Sequence, residues 1–160
     1  MLSQAYIKSI LDYDMNTGIF TWIDQKFPRW NGKVAGNYRN GYIQISIKGK
    51  KYSSHRLAYL YVHGFIPNCE IDHINGIRDD NRICNLRAAT KSQNQGNQRK
   101  PRKDNTSGYL GVSENRLNGK FKAQIEVNKE NKYLGQHETA EEAHQVYLEA
   151  KRKYHSHCTI

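Results

Sequence analysis

Hydrophobic and polar positions change their period several times along the chain. Residues 41–47 alternate between apolar and polar side chains, and residues 51–53 continue this alternation after a Lys-Gly-Lys turn. A period of two around a turn is typical of a β-hairpin. Residues 55–63 then place their apolar side chains on one helical face, and Gly64 follows as a stop signal. The pattern therefore predicts a hairpin followed by a helix.

The first forty residues carry weaker patterns. Ser3 is suited to cap a short helix that runs to Leu11, and residues 14–18 (DMNTG) form a turn signal. Residues 19–23 are predicted to be a strand, and residues 24–40 a loop.

The last fifty residues repeat a strand pattern three times and then change to a helical period. The segments SGYLGVS, KFKAQIEVN and NKYLGQ predict three short antiparallel strands, and TAEEAHQVYLEAKRKYH predicts one helix. Thr139 and Glu142 have the spacing of a capping box at the start of this helix. Upstream, residues 95–107 contain no apolar side chain except Pro101, which predicts a linker.

Composition limits the size of each folded part. Only 37% of the 160 residues are hydrophobic and the mean hydropathy is −0.89, so two small modules are expected rather than one large core. No run of about eighteen apolar residues is present, and the first ten residues lack the features of a secretory signal. A soluble, cytoplasmic protein is predicted.

The charge balance points to a phosphate-rich partner. The chain has 25 Lys and Arg against 15 Asp and Glu, a net charge of +10 and a pI near 9.5. This excess is concentrated in residues 1–94, with 13 basic and 7 acidic side chains, and in residues 95–107, with 4 and 1. A basic surface of this kind is expected of proteins that bind nucleic acid.

Residues 72–94 (DHINGIRDDNRICNLRAATKSQN) combine side chains suited to phosphodiester hydrolysis. Residues 71–73 are predicted to end one strand, residues 86–88 to form a second, and a helix to begin near Thr90. A helix packed across such a hairpin can bring Asn94 to Asp72, so that a carboxylate and an amide oxygen converge on one cation. The adjacent His73 is then placed to deprotonate water, because histidine titrates nearest to neutral pH.

The donor atoms decide which metal is expected. An all-oxygen set suits a hard cation, Mg²⁺ first and Mn²⁺ as a substitute, and argues against zinc. The three cysteines, Cys69, Cys84 and Cys158, form no CxxC pair, so neither a zinc site nor a disulfide framework is indicated. Cys69 and Cys84 are predicted to be small buried residues.

The order Asp72-His73, Asn85 and Asn94 resembles the HNH endonucleases of phage and intron homing type. Residues 54–58 (SHRLA) also resemble the segment that precedes this motif in the family. The resemblance implies a ββα-metal site in which Asp72 and Asn94 hold the divalent metal, His73 is the general base and Asn85 braces the loop. A mobile, phage-associated enzyme acting inside the host cell is the setting that the family suggests.

Residues 107–160 resemble an AP2-type DNA-binding domain, through segments such as Gly111-Val112, Ala123-Gln124-Ile125 and residues 139–143 (TAEEA). Such domains place the sheet in the major groove. The chain departs from the better-known pattern, which has arginines beside Gly-Val and tryptophans in the sheet. Here Leu110, Ser113 and Phe121 occupy those places, which leaves the base contacts at these points open.

Basic and polar side chains in three regions are candidate DNA contacts. Those in and before the motif are Arg56, Arg78, Arg82 and Arg87; those in the linker are Arg99, Lys100, Arg102 and Lys103; those on the sheet are Arg116, Lys120, Lys122, Gln124, Lys132 and Tyr133. The sheet candidates rest on the rule that alternate strand residues share a face.

Simpler interpretations remain open at this point. The segment INGIRDDN can be a turn-rich connection, surface arginines are commonly just solvated, and the lysine-rich tip at residues 48–50 can keep an edge soluble instead of facing DNA. His55 can equally be a packed core histidine or a brace for the active site. A non-catalytic DNA-binding regulator with a degenerate HNH fold and an RNA-binding or RNA-cleaving protein are the competing functions.

The sequence therefore predicts a two-module α+β protein. Residues 1–97 form an N-terminal region with an HNH nuclease core at 41–97, made of a ββα-metal unit with a flanking hairpin and helix. Residues 98–106 form a basic linker, and residues 107–160 an AP2-like three-stranded antiparallel sheet packed on one helix. The predicted activity is metal-dependent, site-recognising hydrolysis of double-stranded DNA by a protein that acts as a monomer.

Overall fold

The computed structural model describes residues 2–23, 29–155 and 158–159. The chain divides into two compact units, Met1–Thr90 and Lys91–Ile160. Residues 24–28 of the predicted loop at 24–40 lie outside the described part of the chain.

The described residues of the first unit form two helices and seven short strands. In chain order these are α1 (Gln4–Ile10), β1 (Leu11–Asp14), β2 (Ile19–Trp22), β3 (Asn37–Arg39), β4 (Tyr42–Ile47), β5 (Lys50–Ser53), α2 (Ser54–His63), β6 (Glu70–His73) and β7 (Leu86–Ala89), with a 3₁₀ turn at Ile83–Asn85. All strand pairs are antiparallel, in the order β1-β2, β3-β4-β5 and β6-β7.

One hydrophobic core holds the first unit together. Helices α1 and α2 pack against each other, and α2 also packs on β4 and β5. The core side chains that are at most 1% exposed are Ile7, Leu11, Phe20, Ile45, Leu57 and Ala58. Ser3 caps α1 by accepting a hydrogen bond from the amide of Tyr6, and Gly64 ends α2 in the left-handed conformation, as predicted.

Two strands of this unit differ from the sequence prediction. Leu11, predicted to end a helix, and Asp14, predicted to begin a turn, are the two ends of β1 (Leu11–Asp14), because Leu11 and Tyr13 are buried and the strand pairs with β2. The predicted loop at 24–40 contains β3, and Val34 bridges Thr21. The side chains of β3 are all exposed, so no apolar alternation marks this strand in the sequence.

The second unit contains α3 (Lys91–Gly96), β8 (Val112–Glu114), β9 (Phe121–Val127), β10 (Glu130–His137) and α4 (Ala140–Tyr154). The strands form an antiparallel sheet in the order β8-β9-β10, with α4 on one face. Both halves of the predicted capping box are present at Thr139 and Glu142. Ala123 and Ile125 of β9 are buried in the small clusters that also include Ala143 and Tyr147 of α4.

The predicted linker at 98–106 belongs to the second unit and is hydrogen-bonded within it. The ammonium of Lys151, which is 1% exposed, donates to the carbonyl of Gln98. The Asn105 amide donates to the carbonyls of Tyr109 and Val112, at 3.2 and 3.1 Å. Hydrogen bonds therefore join both ends of this segment to other residues of the second unit, and its role as a basic linker stays a prediction.

The cysteines differ in burial from the prediction. Cys69 and Cys84 are exposed, because the first lies in the turn before β6 and the second in the 3₁₀ turn, both outside the core. Within the described part of the chain, no helix is long and apolar enough to cross a membrane.

Candidate active site

The β6-β7 hairpin fixes Asp72 against Arg87. The two residues are directly opposite in the register, so their side chains share one face. Nε and Nη2 of Arg87 donate to Oδ2 of Asp72 at 3.0 and 2.8 Å. Asp72 is only 6% exposed. Burial of this carboxylate requires a compensating cation, and the guanidinium supplies one.

His73 ends β6 and is also 6% exposed. Its Nε2 lies 3.4 Å from Oδ1 of Asn81. Burial lowers the pKa of His73, against the opposing effect of the Asn81 hydrogen bond and the carboxylates of Asp72 and Asp80. The imidazole is therefore neutral at neutral pH, which is the form that can accept a proton.

Asn81 determines which ring nitrogen of His73 carries the proton. The Asn81 amide nitrogen donates to the carbonyl of Asp79 at 3.0 Å, which directs its oxygen to the imidazole. When Nε2 of His73 donates to this oxygen, Nδ1 is the ring nitrogen that can accept a proton. The main-chain carbonyl of Asn81 accepts a hydrogen bond from the hydroxyl of Tyr13 at 2.7 Å. Asn81 is 2% exposed.

A second imidazole and a phenol ring pack beside His73. The ring of His55, in the first turn of α2, meets that of His73 edge-on, with centroids 5.1 Å apart and planes at 81°. The Tyr42 ring lies 5.6 Å from His55 and 6.2 Å from His73. The Nδ1 atom of His55 is buried and has no hydrogen-bond partner among the described residues. Burial lowers the pKa of His55 to about 4, assisted by His73 and Arg56.

The loop between β6 and β7 is cross-linked by Asn85. Its Oδ1 accepts from the amide of Asn75 at 2.9 Å and its Nδ2 donates to the carbonyl of Asp80 at 2.8 Å. The Asn75 side chain in turn donates to the Asp80 carboxylate at 2.6 Å and accepts from the amide of Ile77 at 2.9 Å. Asn85 therefore ties both ends of the loop that follows His73.

Asn75, Asn81 and Tyr13 are contributors that the sequence reasoning missed. The first two stand in INGIRDDN, which composition identifies only as a turn. Asparagine side chains commonly hydrogen-bond to the backbone in turns, and this preference could have indicated that Asn75 stabilises the loop. Tyr13 reaches Asn81 from β1, 68 residues away in sequence, and no local pattern indicates this contact.

The four arginines predicted to contact DNA in this unit each have an intramolecular partner. The Arg87 guanidinium binds Asp72, and that of Arg82 binds Asp80 at 2.6 and 2.8 Å, which lowers the pKa of Asp80 to about 2. Arg56 donates to the carbonyl of Pro67 at 3.3 Å, and Arg78 lies 5.2 Å from the ring centre of Tyr42. Their contact with DNA stays a prediction.

The second predicted metal ligand, Asn94, is half-buried in α3. This helix belongs to the second unit, so the convergence of Asn94 with Asp72 stays a prediction. Among the described residues, no group of three or more His, Cys, Asp and Glu side chains could hold a metal ion.

The sheet candidates of the second unit divide between two faces. Because Ala123 and Ile125 face α4, Lys122 and Gln124 lie on the opposite face of β9. Tyr133, which is 60% exposed, pairs with Gln124, and the Lys122 ammonium is 5.6 Å from its ring centre. Lys122, Gln124 and Tyr133 together form the outer face of the sheet.

Lys132 does not belong to this outer face. It pairs with the buried Ile125, and its ammonium lies 4.7 Å from the ring centre of Tyr154 in α4. Successive side chains of β10 alternate between the two faces of the sheet up to Tyr133, after which the pairing register shifts. Lys132 therefore lies on the face opposite to that of Tyr133.

The other basic candidates of this unit lie outside its helices and strands. Lys120 forms an ion pair with Glu138 at 2.6 Å, and Arg116 is exposed. Arg99 donates to the hydroxyl and the carbonyl of Thr159. Lys100, Arg102 and Lys103 are exposed.

Part of the chain matches a known protein family. Residues 52–95 match the family model described as HNH endonuclease. No curated protein and no solved structure matches the chain. The matched segment begins in β5 and ends in α3, and it contains His55, Asp72, His73, Asn85 and Asn94. The match supports an HNH nuclease with DNA as its substrate.

Proposed function

We propose that the protein is a metal-dependent HNH endonuclease that hydrolyses phosphodiester bonds of double-stranded DNA. The observation that carries the proposal is the buried His73 at the end of β6, next to the buried Asp72 and followed by a loop that Asn85 cross-links, inside the segment that matches the HNH family. A positioned base beside a carboxylate is what water-dependent phosphodiester cleavage requires.

The protein's own residues supply the proton transfer. His73 accepts a proton from the attacking water at Nδ1, because its Nε2–H is directed to Asn81. The imidazolium formed is stabilised by the same Asn81 oxygen and by the carboxylates of Asp72 and Asp80. Asn85 acts on the reaction only through the loop that it holds, so it is a positioning residue.

The donor set fits a hard divalent cation. Asp72 offers a carboxylate whose orientation the two Arg87 hydrogen bonds fix, and Asn94 would add an amide oxygen. Oxygen ligands favour Mg²⁺, with Mn²⁺ as a substitute, over zinc. When bound, such a cation offsets the charge on the phosphate and on the leaving 3′ oxygen.

The second unit would select where the DNA is cut. Its outer face presents a lysine, a glutamine and an exposed tyrosine from neighbouring strands, which suits contact with a groove and its phosphates. The proposal includes an AP2-like role for this sheet. It also includes a site-recognising enzyme of the homing type that is phage-associated and binds DNA as a monomer.

The test is cleavage of supercoiled plasmid in the presence of Mg²⁺ by the full chain and by His73→Ala. We expect nicked or linear product from the wild type and a rate about 10²- to 10⁴-fold lower in the variant, the usual contribution of a general base. EDTA should abolish cleavage. His63→Ala is the matched control, since His63 is an exposed histidine of the same unit. Full activity of His73→Ala would reject the proposed role.

A non-catalytic DNA-binding regulator with a degenerate HNH fold is the second candidate. The observation in its favour is the Asp72–Arg87 ion pair, which neutralises the carboxylate without a metal. Binding of DNA without cleavage of any member of a wide DNA library would favour this function. Parallel binding to duplex DNA and RNA at one fixed salt concentration tests the RNA alternative.

A further inference from the structure

A cleft in the first unit contains no residue of the site described above. It has a volume of about 640 Å³, within the usual range of small-ligand sites. It lies among α1, the end of β2, the turn that follows Trp30 and the end of β4. The lining residues that matter here are Tyr6, Ile10, Trp22, Trp30, Ser46 and Lys48.

Aromatic rings and cations occur together in this cleft. Both tryptophans of the chain line it, and Trp30 is 49% exposed. The ammonium of Lys48 lies 4.2 Å from the ring centre of Tyr6, while Arg29 and Lys33 lie 5.5 and 5.7 Å from that of Trp30. None of the described lining residues is acidic.

The wall that carries Trp30 is held by backbone hydrogen bonds to β2. The Trp22 amide donates to the carbonyl of Lys33 at 2.9 Å, and the Gly32 amide donates to the carbonyl of Trp22 at 2.7 Å. The Lys33 amide closes the turn on the carbonyl of Trp30 at 3.0 Å. The indole is therefore presented on an ordered turn, although half of its surface is exposed.

We infer that this cleft binds an unpaired nucleobase of a DNA strand, which stacks on Trp30 while an adjacent phosphate contacts Lys48. Flat aromatic faces bind the faces of bases, and the surrounding cations complement the phosphates. In an intact duplex the base faces are covered by their neighbours, so the occupant is a base that has left the stack. The inference deepens the proposed function, on which it rests for DNA as the partner.

Intrinsic tryptophan fluorescence reports on this cleft alone, because both tryptophans line it. The full chain is titrated, in EDTA to prevent cleavage, with a twelve-nucleotide oligothymidylate, an abasic strand of the same length, and a blunt duplex. We expect quenching by the oligothymidylate and little change with the abasic strand. Equal quenching by the two strands would reduce the site to a phosphate contact and overturn the inference.

Single substitutions test which side chains contribute to the affinity for the strand. We expect Trp30→Ala to weaken binding of labelled oligothymidylate by about 5- to 150-fold, the effect of losing one base–aromatic stack, and Trp30→Phe to retain most of the affinity. Lys48→Gln should weaken binding, whereas Lys50→Gln, an exposed lysine of the same hairpin outside the cleft, should not. Tyr38→Ala is the matched aromatic control, since Tyr38 is 67% exposed and does not line the cleft.

Unchanged affinity in Trp30→Ala would overturn the inference. If that variant unfolds, Trp30→Phe and Lys48→Gln are measured instead. A loss of affinity in Lys48→Gln alone, together with equal quenching by the oligothymidylate and the abasic strand, would reject stacking of a base on Trp30. The outcome is separable from that of the nuclease. Quenching without plasmid cleavage would support the base-binding cleft and reject the proposed nuclease. Plasmid cleavage without quenching would support the nuclease and reject the base-binding cleft.

Discussion

The chemistry of the candidate site depends on how individual polar side chains are oriented. Asn81 is a buried amide whose nitrogen is used by Asp79, so its oxygen determines the tautomer of His73. His55 packs on the same imidazole, and its buried Nδ1 has no hydrogen-bond partner in the part of the chain that the structure describes. A protonated His55 would be a poorly hydrated cation beside the His73 ring and near Arg56, so burial and these neighbours favour its neutral form.

Stability should therefore fall with acidification. The pKa of His55 is about 4 in the folded protein and near 6.5 when unfolded, so the unfolded chain binds more protons between these values. Its contribution is fully present above about pH 6.5 and is lost as the pH falls towards 4. We expect His55→Gln to reduce the loss of unfolding free energy between pH 7.5 and pH 5 by up to about 2 kcal/mol in urea titrations.

The exposed His63 provides the control for that measurement. His63→Gln should leave the pH dependence of the wild type in place. Identical pH dependence in wild type and His55→Gln would show that burial of His55 does not disfavour its charged form.

At the scale of the elements, the β6-β7 hairpin acts by register. It places Asp72 opposite Arg87 and His73 opposite Leu86. A shift of one residue would separate Asp72 from Arg87. The ion pair across the hairpin thus helps to hold the carboxylate and, through it, the strand that carries the base.

Removal of Arg87 should reveal whether Asp72 binds metal. Arg87→Met leaves a buried carboxylate without its cation, which costs about 3–5 kcal/mol of stability. If Asp72 is a ligand, Mg²⁺ should raise the Tm of Arg87→Met more than that of the wild type, because the metal replaces the lost cation. Arg82→Met, which removes the guanidinium beside Asp80 instead, is the control. An equal Mg²⁺ response in all three proteins would count against Asp72 as a ligand.

The packing of α4 on the sheet depends on a glycine in the turn before β8. A Cβ on Gly111 would lie 2.0 Å from Cδ2 of Tyr147, whereas a Cβ on Gly108 meets nothing within 4 Å. Both glycines have nearly the same positive φ, +76° and +75°, so backbone strain is matched. We expect Gly111→Ala to lower the unfolding free energy by about 1–3 kcal/mol more than Gly108→Ala, since the ring must move. An equal loss of stability in the two variants, measured by thermal melts, would mean that the Tyr147 ring moves without an energetic cost.

At the scale of the whole molecule, the proposed function gives cleavage to the first unit and site choice to the second. The first unit holds Asp72, His73 and Asn85, and the second presents the outer face of its sheet. Residues 98–106 are hydrogen-bonded within the second unit, so point substitutions separate the two functions better than truncation at residue 107.

Substitution of the outer face should change where the enzyme cuts more than how fast it cuts. We expect Gln124→Ala combined with Tyr133→Ala to broaden the cut sites mapped on both strands of phage-type DNA, with plasmid cleavage at low salt within a few-fold of wild type. Lys132→Ala, on the α4 face, should leave the sites unchanged. An unaltered cut-site map in the double variant would argue against this division of labour.

Local patterns were sufficient for the elements whose side chains alternate or cap. The helix that starts at Ser54, the β4-β5 hairpin and the capped α4 follow from apolar period, Gly64 and the Thr139-Glu142 pair, because these signals act within a few residues. Strand β3 had no such signal. Its side chains are exposed and it exists because β4 supplies hydrogen-bond partners.

The sequence by itself determined the kinds of chemical groups and their order: a basic chain, an Asp-His pair, asparagines at fixed intervals and a family match over residues 52–95. Only the tertiary structure decided which groups meet. Tyr13 reaching Asn81, His55 packing on His73, and the two tryptophans sharing a cleft join residues from separate elements. Such contacts arise from burial and packing between elements, and a local sequence pattern does not encode them.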